Sequence, residues 1–185
     1  MGLKETQQTF VQLAIDSKFR EKIFADKDTH SIHGVILRKD EVQLQARMLI
    51  NKRLNVLKKI FPFSYKILGS KFHFHFRIFA TNSQEPCGIN RHRVDAIEFA
   101  HYLTKLAKKG KLPKFLVNLI SHEITPVEMW VKKQKFRFKF YKYNPAKLIK
   151  NINQEYIFPI PSFVFWHEAI GKKKGYFWRA FSLWI

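Results

Sequence analysis

The sequence holds a single cysteine, Cys87. An intrachain disulfide is therefore excluded, and a reducing compartment fits. Cys87 sits in the loop-like tetrapeptide Glu85-Pro86-Cys87-Gly88. Glycine is scarce, 7 residues in 185, which argues against the Gly-rich backbone cradles that hold phosphates. No Gly-x-Gly-x-x-Gly, P-loop or Gly-x-Ser-x-Gly occurs, so the common signatures of nucleotide-binding and serine-hydrolase sites are missing. Acids are few and scattered, 14 Asp/Glu against 34 Lys/Arg, a poor basis for a two-carboxylate hydrolase. No apolar run approaches the ~18 residues of a membrane-spanning helix. The N-terminus lacks the basic start and apolar stretch of a signal peptide. These absences predict a cytoplasmic protein with no enzymatic signature.

What is present is aromatic and basic. Hydrophobic residues make up 46% of the chain, enough for a packed core, and 19 Phe make that core aromatic-rich. The formal net charge is +20, beyond what solubility requires, and it favours an anionic partner. Nucleic acid, an acidic protein or peptide, and an anionic membrane surface all fit. The excess is uneven: residues 1–125 carry 22 basic and 11 acidic side chains, residues 126–185 carry 12 and 3.

Periodicity predicts an α+β fold. A helical domain of about five helices spans 1–125, and a small antiparallel β-appendage, basic and aromatic-rich, spans 126–185. The helices are expected over 9–25 (with Asp16 capping a second piece), 40–61, 64–81, 94–108 and 113–124, and residues 26–38 read as a loop; within 64–81 the run Phe72-His73-Phe74-His75-Phe76 also alternates like a strand, so periodicity alone leaves that element open. Past Pro126 the pattern turns strand-like. One long strand or hairpin arm is expected over 129–143, a short edge strand over 156–160, and a hairpin from 163–170 and 176–184 around the loop 171–175. Within the helix over 40–61, Arg53 projects onto the apolar arc. A buried guanidinium requires a carboxylate; Glu123, Asp95 and Glu98 are candidates, and Glu123 is taken as the partner.

Metal binding finds little support. His73 and His75 are two residues apart, and His30 and His33 three, but no Cys or carboxylate completes a ligand set near either pair. His122-Glu123 lacks the second His of a zinc-peptidase helix. No metal or cofactor is expected.

The segment with most chemical character is Lys135-Phe136-Arg137-Phe138-Lys139-Phe140. Period two on a strand puts the cations on one face and the rings on the other. The rings are expected to pack the sheet onto the helices, leaving the cations solvated. Lys135, Arg137, Lys139 and Lys142 then meet acidic groups, with Tyr141, Tyr143 and Trp178 as apolar anchors and Lys172, Lys173 and Lys174 as a second basic patch.

Several segments resemble a known family. The "FREKIFAD" stretch, Ala46-Arg47-Met48-Leu49-Ile50-Asn51-Lys52-Arg53 followed by Val56, Pro62, Leu68, Gly69 and Phe72, the run Asp95-Ala96-Ile97-Glu98-Phe99-Ala100-His101-Tyr102-Leu103, and Glu123 resemble motifs of uncharacterised bacterial proteins. Those proteins are in turn similar to a family named for a DNA-binding domain, which includes the partner subunit of methanobactin biosynthesis. The resemblance covers about residues 10–125. It implies a helical N-terminal domain, a β-rich C-terminal domain and a non-catalytic partner role beside an iron-dependent enzyme that modifies ribosomal peptides. The function expected is thus an adaptor that binds an acidic peptide or protein, with nucleic-acid binding through the same basic and aromatic residues as the alternative.

Overall fold

The helix expected over 9–25 is two helices, α1 (Leu3–Ile15) and α2 (Ser17–Ile23), in a computed structural model that describes residues 3–32, 34–83, 86, 88–151, 158–169 and 175–183. Asp16 separates the two as expected: its side chain accepts from the Phe19 backbone N–H at 3.0 Å and caps α2. The segment 26–38 is no plain loop. It holds a hairpin, β1 (Thr29–Ile32) and β2 (Val35–Arg38), antiparallel with Ile32 opposite Val35. Gly34 turns the chain with φ +79°, a conformation that favours glycine. Leu13, Phe24 and Ile32 form a small core beneath it.

Helix α3 (Lys39–Ile60) matches the expected element, with acids Asp40 and Glu41 in its first turn and Lys58 and Lys59 in its last, the distribution that suits a helix dipole. The single helix expected over 64–81 is broken at Gly69 into α4 (Pro62–Leu68) and α5 (Ser70–Asn82). Gly69 has φ +52° and ψ −123°, a backbone state that is essentially restricted to glycine. Helix α6 (Arg91–Lys108) and α7 (Leu116–Val131) pack together on this pair. The trunk core is aromatic: Phe61, Phe72, Phe76 and Phe99 are fully buried, and Phe99 meets Phe72 and Phe76 edge-on, both at 5.3 Å.

Arg53 is buried on α3, as its position on the apolar arc implies, but its partner is not Glu123. Asp95 of α6 accepts from Arg53 Nη2 at 2.7 Å and from Nε at 3.1 Å, a bidentate pair, with the Phe76 ring 5.6 Å from the guanidinium. Glu123 instead receives the Phe63 and Ser64 backbone N–H groups and the Ser64 hydroxyl. It caps the start of α4 from across the fold.

The change from helix to strand falls later than Pro126. Helix α7 runs through that proline to Val131, so the element expected over 129–143 begins as a helix end and contains only the strand β3 (Phe136–Tyr141). A helix that strand periodicity did not reveal follows, α8 (Pro145–Lys150), capped by the Asn144 side chain. The expected hairpin is present as β4 (Ser162–Glu168) and β5 (Tyr176–Ser182). The three strands form an antiparallel sheet in the order β3-β4-β5. The described part of the strand expected over 156–160 carries no strand structure. Among the described residues the fold is therefore α+β with eight helices and two small antiparallel sheets, richer than five helices and one hairpin. Cys87, Lys172, Lys173, Lys174 and residues 156–157 lie outside the described residues. No described helix is long and apolar enough to cross a membrane.

Candidate functional site

The three-stranded sheet shows which way the alternating segment faces, and the sense is opposite to expectation. Phe136, Phe138 and Phe140 point to solvent, 66%, 58% and 68% exposed. Arg137, Lys139 and Tyr141 point inward to α7.

Helix α7 explains the inversion. Ser121, Thr125 and Glu128 are spaced i, i+4 and i+7, so they share one helical face. That face is polar and meets β3. Arg137 Nη1 donates to the Glu128 carboxylate. Lys139 Nζ donates to Thr125 Oγ1 at 2.8 Å and to Ser121 Oγ at 3.1 Å, and lies 3.6 Å from the Glu128 carboxylate. Tyr141 is buried with its hydroxyl 3.4 Å from Ser121 Oγ. An inward Phe row would leave these groups without partners at a cost of ~1–3 kcal/mol for each buried polar atom. Burial pulls the Lys139 ammonium below its usual range, against the opposing pull of Glu128, and pushes the Tyr141 phenol up to about 12.

The rest of the inner face is apolar. Val164 and Trp166 of β4 are fully buried with Met129 of α7. His122 lies beneath them, its ring 4.3 Å from Trp178 edge-on and 5.4 Å from Trp166. Burial holds its imidazole down at about 4, with Lys139 adding to the effect. It is neutral at pH 7 and serves as packing.

The outer face is built by register. Residues directly opposite on paired strands share a face. The pairings are Phe136 with His167 and Phe177, Phe138 with Phe165 and Arg179, and Phe140 with Phe163 and Phe181. Nine outward positions thus hold seven Phe, one His and one Arg, in three rows about 7 Å apart, two residues of strand rise. Phe177 and Phe181 are also more than half exposed. Neighbouring rings lie in contact at varied tilts, the widest between Phe140 and Phe163, 51° at 5.2 Å. Phe163 lies at 33° to Phe181 and 36° to Phe138, and His167 at 24° to Phe165 and 29° to Phe177. The result is a tiled aromatic surface with Arg179 within it.

The remaining expected site residues divide. Lys135 and Lys142 are exposed at the two ends of β3. Tyr143 packs on Phe115 at 6.5 Å and joins the trunk core. Trp178 belongs to the inner face, against His122. Sequence reasoning missed Phe163, Phe165, His167, Phe177, Arg179 and Phe181 as one surface. A signal existed: Phe163, Phe165 and His167, and Phe177, Arg179 and Phe181, each repeat at period two, as in β3. Among the described residues no three of His, Cys, Asp and Glu gather to hold a metal ion.

No protein-family model matches the chain, and no curated protein is detectably similar to it in sequence.

Proposed function

We propose that this chain is a non-catalytic protein that binds single-stranded nucleic acid on the outer face of its C-terminal sheet. One observation carries the reading: the nine outward positions hold eight rings and one arginine, with no aliphatic side chain and no acid among them. Exposed rings on an open sheet stack on bases, worth ~1–3 kcal/mol per base, and this stacking tolerates any sequence. The cations within and around the face, Arg179, Lys135 and Lys142, suit the phosphates between those bases, and a net charge of +20 draws a polyanion to the surface. Stacking on exposed rings requires bases that are not already stacked and paired in a duplex, so an unpaired strand is the better fit.

A second reading keeps the partner-protein role that the family resemblance implies. The size of the apolar face favours it, because contiguous exposed aromatics also mark protein docking sites. Its acidic-peptide form is less well supported, since Glu128 already faces Arg137 and Lys139.

Fluorescence anisotropy with a labelled thymidine tract at low ionic strength tests the first reading. Phe138→Ala and Phe140→Ala are each expected to weaken binding roughly 5- to 100-fold, whereas Phe138→Tyr retains it. Unchanged binding in both alanine variants overturns the reading. So does a duplex bound as tightly as the single strand. Failure to bind any oligonucleotide leaves protein docking as the use of the face.

A further inference from the structure

The aromatic face ends at the row Phe140–Phe163–Phe181. The next residue of β3's strand end beyond Tyr141 is Lys142, which is exposed, and Tyr143 follows it onto the trunk. There its ring meets Phe115 at 6.5 Å. That contact joins two stretches far apart in sequence: the turn between α6 and α7, and the β3–α8 junction. Leu112 and Leu116 from the first and Leu148 from the second are buried in the trunk core, and the Phe115–Tyr143 contact brings the two stretches side by side.

The surface of these two stretches is basic. Lys109, Lys111 and Lys114 project from the α6–α7 turn, and Lys142, Lys147 and Lys150 from the β3–α8 stretch; all six are exposed. No acid occurs between residues 99 and 122 or between 129 and 154. Among the described residues none of the six takes part in an ion pair. Self-repulsion of such a cluster is relieved by an anion, and its position beside the last aromatic row gives that anion a source.

We infer that these lysines are the second half of the nucleic-acid site: they take the phosphates of the strand after it leaves the sheet past Phe140. The inference rests on the reading of the aromatic face given above and adds a path to it. Bases stack over the sheet, and the backbone then continues across Lys142 to the lysines of α8 and the α6–α7 turn. The site therefore has a stacking part, reached by a short strand, and an electrostatic part, reached only by a longer one.

Two labelled thymidine tracts, of roughly 5 and roughly 15 nucleotides, separate the parts when titrated against the full chain over a range of salt. Lys114→Gln/Lys147→Gln/Lys150→Gln is compared with Lys18→Gln/Lys22→Gln/Lys52→Gln, which removes the same charge from exposed lysines elsewhere. The belt variant is expected to lower the log–log salt slope of the long tract by about 2, at ~0.7 per phosphate lost. Its affinity for the short tract stays within about threefold of wild type, and the control changes both tracts only slightly. Equal losses on both tracts, or equal losses in the two variants, overturn the path and reduce the belt to a diffuse field. An unchanged long tract overturns it as well, while the aromatic reading survives if Phe138→Ala still weakens binding. If wild-type protein binds neither tract, both the path and the reading beneath it fall.

Discussion

Arg53 and Asp95 are the residues whose pairing most constrains the trunk. Both are buried, and each requires the other because an unpaired charge there has no water to turn to. Asp95→Asn or Arg53→Ala is expected to lower stability by about 3–5 kcal/mol in urea denaturation. Replacing both by leucine is expected to recover most of that loss, because the desolvation of two charges disappears with the pair. Adjacent residues Glu123 and His122 make an opposed pair with respect to pH. Burial pushes the Glu123 carboxyl up to about 7, despite the donors from Ser64 and Phe63. The folded state therefore holds the proton more tightly than the unfolded state, and this stabilisation is full below pH 4.5 and lost as pH rises through about 7. The His122 imidazole is held down at about 4. The unfolded state binds the proton better, so that contribution is full above pH 6.5 and lost as pH falls through about 4. Between pH 4.5 and 6.5 the two slopes cancel. Glu123→Gln should expose a stability that rises with pH across that interval, by roughly 3 kcal/mol in all, and His122→Gln one that falls. Chemical denaturation at several pH values reads both, and parallel profiles in the two variants would contradict the assignment.

At the scale of elements, what was legible followed from whether a pattern carries its own direction. The 3.6-residue stripe of α3 showed which side is buried and singled out Arg53, because a helix has one apolar arc. It did not name Asp95, since a partner 42 residues away is a matter of how α3 and α6 cross. The strand β3 was legible as alternating, but alternation has two faces, and β3 gave no sign of which one turns inward. The answer lay on another element, in the polar stripe Ser121, Thr125 and Glu128 of α7, and in a proline that the helix tolerates instead of stopping at. Gly69 shows the same limit. Its neighbours continue the helical stripe of Tyr65, Leu68 and Phe72, so periodicity read one helix where the backbone makes two. Gly69→Ala is expected to cost about 1–3 kcal/mol, from backbone conformation alone, because an added Cβ would meet nothing within 4 Å. Phe138→Ser, in contrast, should leave the midpoint of thermal unfolding within a few degrees, since its ring is mostly in water. A large loss of stability would mean that the outer face is covered by the chain itself.

Across the whole molecule, α7 is shared by two cores. One side holds Leu116, Leu119, Ile120 and Ile124 in the trunk cluster; the other offers Met129 to Tyr141, Val164 and Trp166 beneath the sheet. The sheet's polar attachment is concentrated at Glu128, which faces both Arg137 and Lys139. Removing that carboxylate takes the counter-charge from two part-buried cations at once and leaves Lys139 only the Ser121 and Thr125 hydroxyls, at a cost of about 3 kcal/mol that falls on the sheet and not on the trunk. The sequence supplies a means to see this, because Trp166 and Trp178 stand on strands of the sheet, whereas Trp130 stands near the end of α7 with Arg93 of α6 over its ring. In a Trp130→Phe background, tryptophan emission is therefore the signal that reads the sheet, and far-ultraviolet circular dichroism follows the trunk. With Glu128 in place the two signals should change together on denaturation, as a two-state unit requires. In Glu128→Ala the emission change should move to lower denaturant while the dichroism midpoint stays, and oligonucleotide affinity should fall with the emission signal because the stacking surface is then no longer held. Coincident transitions in Glu128→Ala would show that the apolar contacts of Met129 and Trp166 suffice to bind the sheet to the trunk, and that the inward cations add nothing to its hold.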